Sequence, residues 1–392
     1  MATSKITNLS ITDDAVRTAG IQDAAVTAAK TSGVPTLFLP TAQPFFINSN
    51  MQIYQRGYNF TGVTAATTYS ADRWRYETGN IGTYEMNNTQ VTAGPAYNDG
   101  FRQCARIDCT TADGSPASSD YLYFGYSAEA QDCLAWKKGT TSATTMTLSF
   151  WVKSNKTGTA QVNLRDMDNG RMVSATYSIS SADTWEKIIV TFPMETSNKL
   201  NNDNGSGFVF EWWLGAGSNF TSGAAPTSWE ATTDADRGVN NLAINDNTAN
   251  DWSITGIQAE VGSYTSSTIP PYKWEGYGAN LLRCQRYYET QTGFYWFGFQ
   301  SGTNVTHDAM ASCKVEKRAT PSGTYSGSVV NYYPNTGGGN DETNNITAIT
   351  IGDKNGSTFV GMQTEGGAPT DAGYWPVYAD ARNAVLNWDA EL

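Results

Sequence analysis

A chain of 392 residues has room for two or three domains, each with its own core. Charged residues make up only 16% of it, well below the roughly 25% usual for soluble domains, so hydroxyls and amides carry much of its solubility. The net charge of −12, from 37 acids against 25 bases, argues against nucleic acid, which needs a basic footprint, and against charge-driven docking on an anionic membrane. An uncharged polar ligand such as a glycan stays compatible.

Gly (37), Tyr (21) and Trp (12) are abundant among Thr, Ser and Asn. β-branched and aromatic residues suit a pleated surface, and Gly and Asn suit the turns between strands, so the composition predicts an all-β protein. No apolar stretch approaches the roughly 20 residues of a membrane span. Residues 1–14 lack the apolar region of a secretory signal, so synthesis in a reducing cytoplasm is expected. The five cysteines, Cys104, Cys109, Cys133, Cys284 and Cys313, are loosely spaced, with no CxxC. They support neither a disulfide framework nor a zinc site.

Residues 1–33 are small, Ala/Thr-rich and free of aromatics. Ile11, Val16, Ile21 and Val26 recur every five residues, in two copies of a ten-residue unit. Such a segment cannot bury its apolar residues alone, and it predicts an N-terminal assembly arm that wraps around identical copies, with a helix over 13–30, on a stripe of Ala15, Ala19 and Val26, as one form and a disordered tail as the alternative. Pro35, Pro40 and Pro44 make residues 34–45 an extended linker.

From 46 to 270 strand follows strand. Leu148, Phe150 and Val152 alternate with Ser149, Trp151 and Lys153; Phe208, Phe210, Trp212 and Leu214 alternate with Val209, Glu211 and Trp213. Residues 187–192 and 253–261 continue the pattern, with Gly256 an expected bulge. This predicts a sandwich or jelly roll. After Pro270-Pro271, the spacing of Leu281, Cys284, Gln285 and Tyr288 predicts one face of a short helix, and the aromatic run 294–299 a further strand. Turn residues at 337–339, 353, 355–356 and 366–367 make 271–392 a second, smaller β domain.

Several segments resemble the carbohydrate-binding-module-like proteins of tailed phages, many from marine and cyanobacterial hosts, known as tail fibre or virion structural proteins. They are Asn48-Ser-Asn-Met-Gln-Ile-Tyr-Gln-Arg-Gly57, Tyr69-Ser-Ala-Asp-Arg-Trp74, Leu148-Ser-Phe-Trp-Val-Lys-Ser154, Asp183-Thr-Trp-Glu-Lys187, Asn202-Asp-Asn-Gly205 and Ile254-Thr-Gly-Ile-Gln-Ala-Glu-Val-Gly262. Leu282-Arg-Cys-Gln-Arg-Tyr-Tyr-Glu289 and Trp388-Asp-Ala-Glu-Leu392 are similar to the small C-terminal domain that commonly follows. The resemblance implies a jelly roll, a homotrimer and a place on the virion surface. It does not imply a ligand.

The chemistry expected is binding, not catalysis. His307 is the only histidine, which leaves a triad or a zinc hydrolase without its parts. Glu211, between Phe210 and Trp212, is the acid whose neighbours are placed to raise its pKa, with a solvent-facing strand position as the plainer reading. Sugar binding needs flat aromatic faces, and Trp229, Trp252 and Tyr97 sit among turn residues, where plain packing is the alternative. Trp74, Trp151 and Trp185 are expected to be structural. Asn202, Asp203 and Asn204 offer oxygens to a structural calcium, or else a polar turn with Gly205 at positive φ. The expected function is host-surface attachment by weak, multivalent glycan binding, with other virion proteins met through the arm. The alternatives are a ligand-free decorating protein on capsid or tail and, third, a polysaccharide depolymerase.

Overall fold

The alternating stretches become strands of two facing sheets, because each can bury one apolar face only against another sheet. The computed structural model describes residues 43–300, 306–310, 313–326, 328–332, 341–351, 359–364 and 375–392. Residues 44–392 form one compact unit. The expected arm, nearly all of the linker and the turns at 337–339, 353, 355–356 and 366–367 lie outside the described residues.

The first sheet runs, in spatial order, β1 (Asn59–Val63), β4 (Thr83–Gln90), β5 (Gln103–Thr111), β13 (Asp251–Val261), β7 (Met146–Ser154) and β10 (Glu186–Phe192). The second runs β12 (Glu230–Ala231), β9 (Arg171–Ile179), β8 (Gly158–Asp166), β11 (Ser206–Ala216), β6 (Tyr121–Glu129), β3 (Trp74–Gly79) and β2 (Thr67–Ala71). Every pairing is antiparallel. The chain changes sheet after β1, β3, β5, β6, β7, β9, β10 and β12, the back-and-forth path of a jelly-roll sandwich.

Leu148, Phe150 and Val152 meet Phe208, Phe210, Trp212 and Leu214 in the core, with Trp74 and Trp252 beside them. Phe150 and Trp212 pack edge to face at 5.6 Å. Gly256 lies at φ +62, and the register between β13 and β7 slips from Thr255 to Gln258. The slip keeps Ile257 and Ala259 in the core after Trp252 and Ile254, which an unbroken period of two would turn outward.

The second sheet is buried on its outer face as well. Residues 217–240, with α2 (Ser218–Thr221), lie over β8 and β11. Arg237 sits 5.1 Å from the ring of Trp213 and pairs with Glu211. Glu211 is therefore neither solvent-facing nor poised as an acid. It is fully buried, and Arg165 and Arg237 both bind it, at 2.8 and 2.9 Å. Burial pushes its pKa up, but the two guanidiniums outweigh burial and bring it down to about 2.

Beyond the sandwich, α3 (Tyr277–Gln285) buries Asn280, Cys284 and Gln285, with Leu281 against the same cluster. Tyr288 falls past its end, in β14 (Tyr288–Gln300). The third sheet contains β14, β15 (Thr306–Met310), β16 (Ser322–Ser326), β17 (Ser328–Tyr332), β18 (Asp341–Ile351), β19 (Phe359–Thr364) and β20 (Trp375–Asp389). Its pairings run β14-β15-β19-β18-β17-β20, and β20 returns to β14, so six strands close a ring. Closure removes the edges an open sheet would expose.

Buried charge joins sandwich and ring. Arg73 pairs with Glu391 and lies 3.4 Å over the ring of Tyr287. Arg286 and Tyr287 converge on buried Glu129 at 2.8 and 2.6 Å. Each ion has a partner, as removal from water requires.

Candidate binding cleft

The outer face of the first sheet is only half covered, and the candidate site lies where the cover stops. Along β13, Gly256 sits under Phe101, and Gln258 holds the carbonyls of Pro270 and Pro271 at 3.1 and 3.3 Å. Toward the other end of β13, the outward side chains are Ser253 and, on neighbouring strands, Cys104, Arg106 and Lys153. These form the floor of an open cleft of about 360 Å³.

One wall is the turn from β9 to β10, with Asp183, Thr184 and Trp185; the other is residues 89–95, leading into α1 (Pro95–Asn98). Asp183 adopts φ +55, the left-handed region that an Asp tolerates in a tight turn. Trp185 is 7% exposed, with most of its ring packed among Val91, Ala96, Phe101 and Trp151, so only an edge lines the cleft. Gly94, at φ +87, brings the opposite backbone close: a Cβ there would stand 3.4 Å from Trp185 Cδ1.

The polar groups of the floor differ in how far they are already engaged. Arg106 donates to Asp251 from Nε and Nη2 at 3.1 and 3.0 Å, and to Asp108 at 3.1 Å. Burial raises the pKa of Asp108 despite Arg106. Lys153, half-buried, makes no ion pair among the described residues, and its ammonium lies 5.8 Å from the ring of Trp185. Burial pushes the Cys104 thiol up to about 12, against the pull of Lys153 and Ser253, so it is no nucleophile near neutral pH. Ser253 is 1% exposed, and its Oγ has no hydrogen-bond partner of ordinary geometry. Its polar neighbour, the Cys104 thiol, is a weak donor at best.

The residues singled out from turn signals lie elsewhere. Trp252 is in β13, fully buried among the core aromatics, and presents no face. Its Asn-Asp prefix marks the end of a loop, not the position of the ring. Trp229 is 9% exposed, donates from Nε1 to the Pro193 carbonyl at 2.5 Å, and stacks on Phe208. Packing is thus its observed role. Tyr97, 37% exposed on α1, keeps an accessible ring, with the Arg102 guanidinium 3.8 Å from its centroid. Trp74 is in the core as expected, whereas Trp185 joins the cleft wall. Its turn context, Asp183-Thr184-Trp185, was the available signal.

Asn204 donates to the Arg318 carbonyl at 2.5 Å, and Asp203 accepts from Gly205 N at 2.9 Å. The segment therefore forms a turn docked on its neighbour, and Gly205 does not have positive φ. Among the described residues, no group of three His, Cys, Asp or Glu is placed to hold a metal ion. Cys104, Cys109, Cys133 and Cys284 are buried thiols.

No family model matches the chain, and no curated protein does. Solved structures similar to part of it include a family 61 carbohydrate-binding module in complex with β-1,4-galactotriose, 6% identical, covering 56% of this chain and 99% of that one, TM-score 0.28. A family 11 module from Clostridium thermocellum, in complex with a β-1,3-1,4-mixed-linked tetrasaccharide, is 11% identical and covers 53% of this chain and 98% of its own, TM-score 0.25. The enzymatically active domain of tailspike protein 4 from bacteriophage CBA120 is 11% identical over 48% of this chain, TM-score 0.27, and the match spans 19% of that domain. These are partial likenesses.

Proposed function

We propose that the chain binds a glycan in the cleft on the outer face of the first sheet and does no chemistry on it. The observation that carries this reading is the open cleft of about 360 Å³ whose floor holds Lys153, a half-buried cation with no ion pair among the described residues. Thr184, Gln90 and Thr92 supply further hydrogen-bonding groups around it, the mix a ligand rich in hydroxyls requires. Binding without cleavage is favoured because Asp183 is the one acid among the residues lining the cleft, and the nearby Asp108 and Asp251 are both tied to Arg106. Glycoside hydrolysis needs two carboxyl groups free to face one bond.

We further propose that this binding serves attachment from a virion surface, in a homotrimer assembled through residues 1–33. The resemblance of the framework segments to phage fibre proteins and the ten-residue repeat within residues 11–30 support this reading. Several weak sites engaging together then give tight attachment.

The test is an array of soluble linear oligosaccharides, neutral and uronate-containing, probed with the full chain and with Lys153→Ala. Removing a cation that makes no ion pair leaves stability nearly unchanged, whereas losing its ligand contact weakens binding by roughly three- to tenfold. Equal binding by the variant, or none by the wild type, overturns the cleft assignment. Released reducing ends demand an enzyme instead. Light scattering of the chain with and without residues 1–33 tests assembly, and a trimer that survives truncation moves the contact into the β structure.

A further inference from the structure

Outside the cleft, Trp274 stands 51% exposed on the segment that follows β13. Its ring is not loose. It lies against Gly100, whose φ is +104 and where a Cβ would stand 2.9 Å from Trp274 Cζ2. Phe101 supports it at 5.0 Å and 33°, and Tyr272 edge-on at 4.9 Å and 69°. One face is therefore held by backbone and aromatics while the remainder meets water.

The Gly100 that the indole rests on donates from N to the Tyr97 carbonyl at 3.0 Å. Tyr97 is on the short turn of α1, and the other end of that turn, Gly94 and Pro95, is the cleft wall. A four-residue helical turn spans only about 6 Å, so the rings and the cleft lie within a few sugar units of each other.

We propose that Trp274, with Tyr97, is an outer stacking platform for the ligand that occupies the cleft, so that the site takes a linear oligosaccharide and not a single sugar. The inference rests on the glycan reading of the cleft and adds its length class. A pre-held ring with an open face loses little freedom when the C–H face of a sugar stacks on it, which makes it an efficient contact. Gly100 has no side chain, and a Cβ there would crowd the indole at 2.9 Å.

The experiment compares the full chain with Trp274→Ala, using chains of two and of six units of whichever array sugar the wild type binds, by calorimetry. The expected result is a loss of roughly five- to tenfold for the six-unit chain and no change for the two-unit chain. Molar mass by light scattering stays that of the wild type. Equal loss for both lengths, or none for either, overturns the platform and leaves the cleft standing. A changed molar mass also overturns it, by making Trp274 a subunit contact. A wild type that binds no array sugar overturns the platform and the cleft together.

Discussion

Replacing Glu211 by Gln is the sharpest test of how the sandwich tolerates a charge in its interior. The carboxylate is fully buried and accepts from Arg165 Nη1 at 2.8 Å, Arg237 Nη2 at 2.9 Å and Trp213 Nε1 at 3.1 Å. The amide keeps the shape but takes the buried counter-charge from both guanidiniums, leaving Arg237 only the exposed Asp234, a loss of about 3–5 kcal/mol. The titration points to the same size: a fall from 4.5 to about 2 corresponds to about 3 kcal/mol. For a unit of this size, about 2 °C of melting temperature accompanies each kcal/mol, so a drop of roughly 6–10 °C is expected near neutral pH. The sign with pH follows from the lowered pKa. The stabilisation is complete above the unfolded value of 4.5 and disappears as pH falls toward 2. Melting curves of wild type and variant, recorded at about pH 7 and about pH 3, should therefore converge in acid. A gap below about 1 °C at neutral pH, or one that does not narrow in acid, refutes the reasoning.

Asp72 carries the opposite sign. Burial raises its pKa from 3.8 to about 6 against the hydrogen bonds of Gln55 and the charge of Arg56, so the folded state gains stability below pH 3.8 and loses it as pH rises through 6. Urea titrations of wild type and Asp72→Asn across that window should show the wild type losing about 3 kcal/mol relative to the variant; a constant difference would contradict the assignment. Gly256→Ala should destabilise by about 2 kcal/mol or more, because the residue is left-handed and a Cβ there would stand 2.5 Å from Phe101 Cζ. A variant as stable as the wild type in denaturant would show that the bulge is not required. Burial raises the pKa of Cys104, Cys109, Cys133 and Cys284, so these four thiols should react with a thiol reagent only on unfolding. Rapid labelling of any of them in the native protein, located by peptide mass, would contradict their burial.

Period-two alternation was enough to place β7 and β11 and to say which of their side chains meet in the core, because a strand has only two faces. Gly256 was legible as a bulge for the same reason: it interrupts that period. The sequence alone also determined the all-β class, since hydroxyl, aromatic and Gly-rich composition leaves little that could make helices pack. Which outer faces stay open was decided by tertiary structure. Residues 217–240 cover β8 and β11 and turn Glu211 into a buried ion, while Phe101 and residues 263–274 cover β13 only as far as Gly256. Local sequence cannot report a cover supplied from many residues away. Trp229 and Trp252 share turn-like neighbours with Tyr97, yet only Tyr97 is left exposed, because exposure depends on what packs against a ring in space and not on what precedes it in the chain.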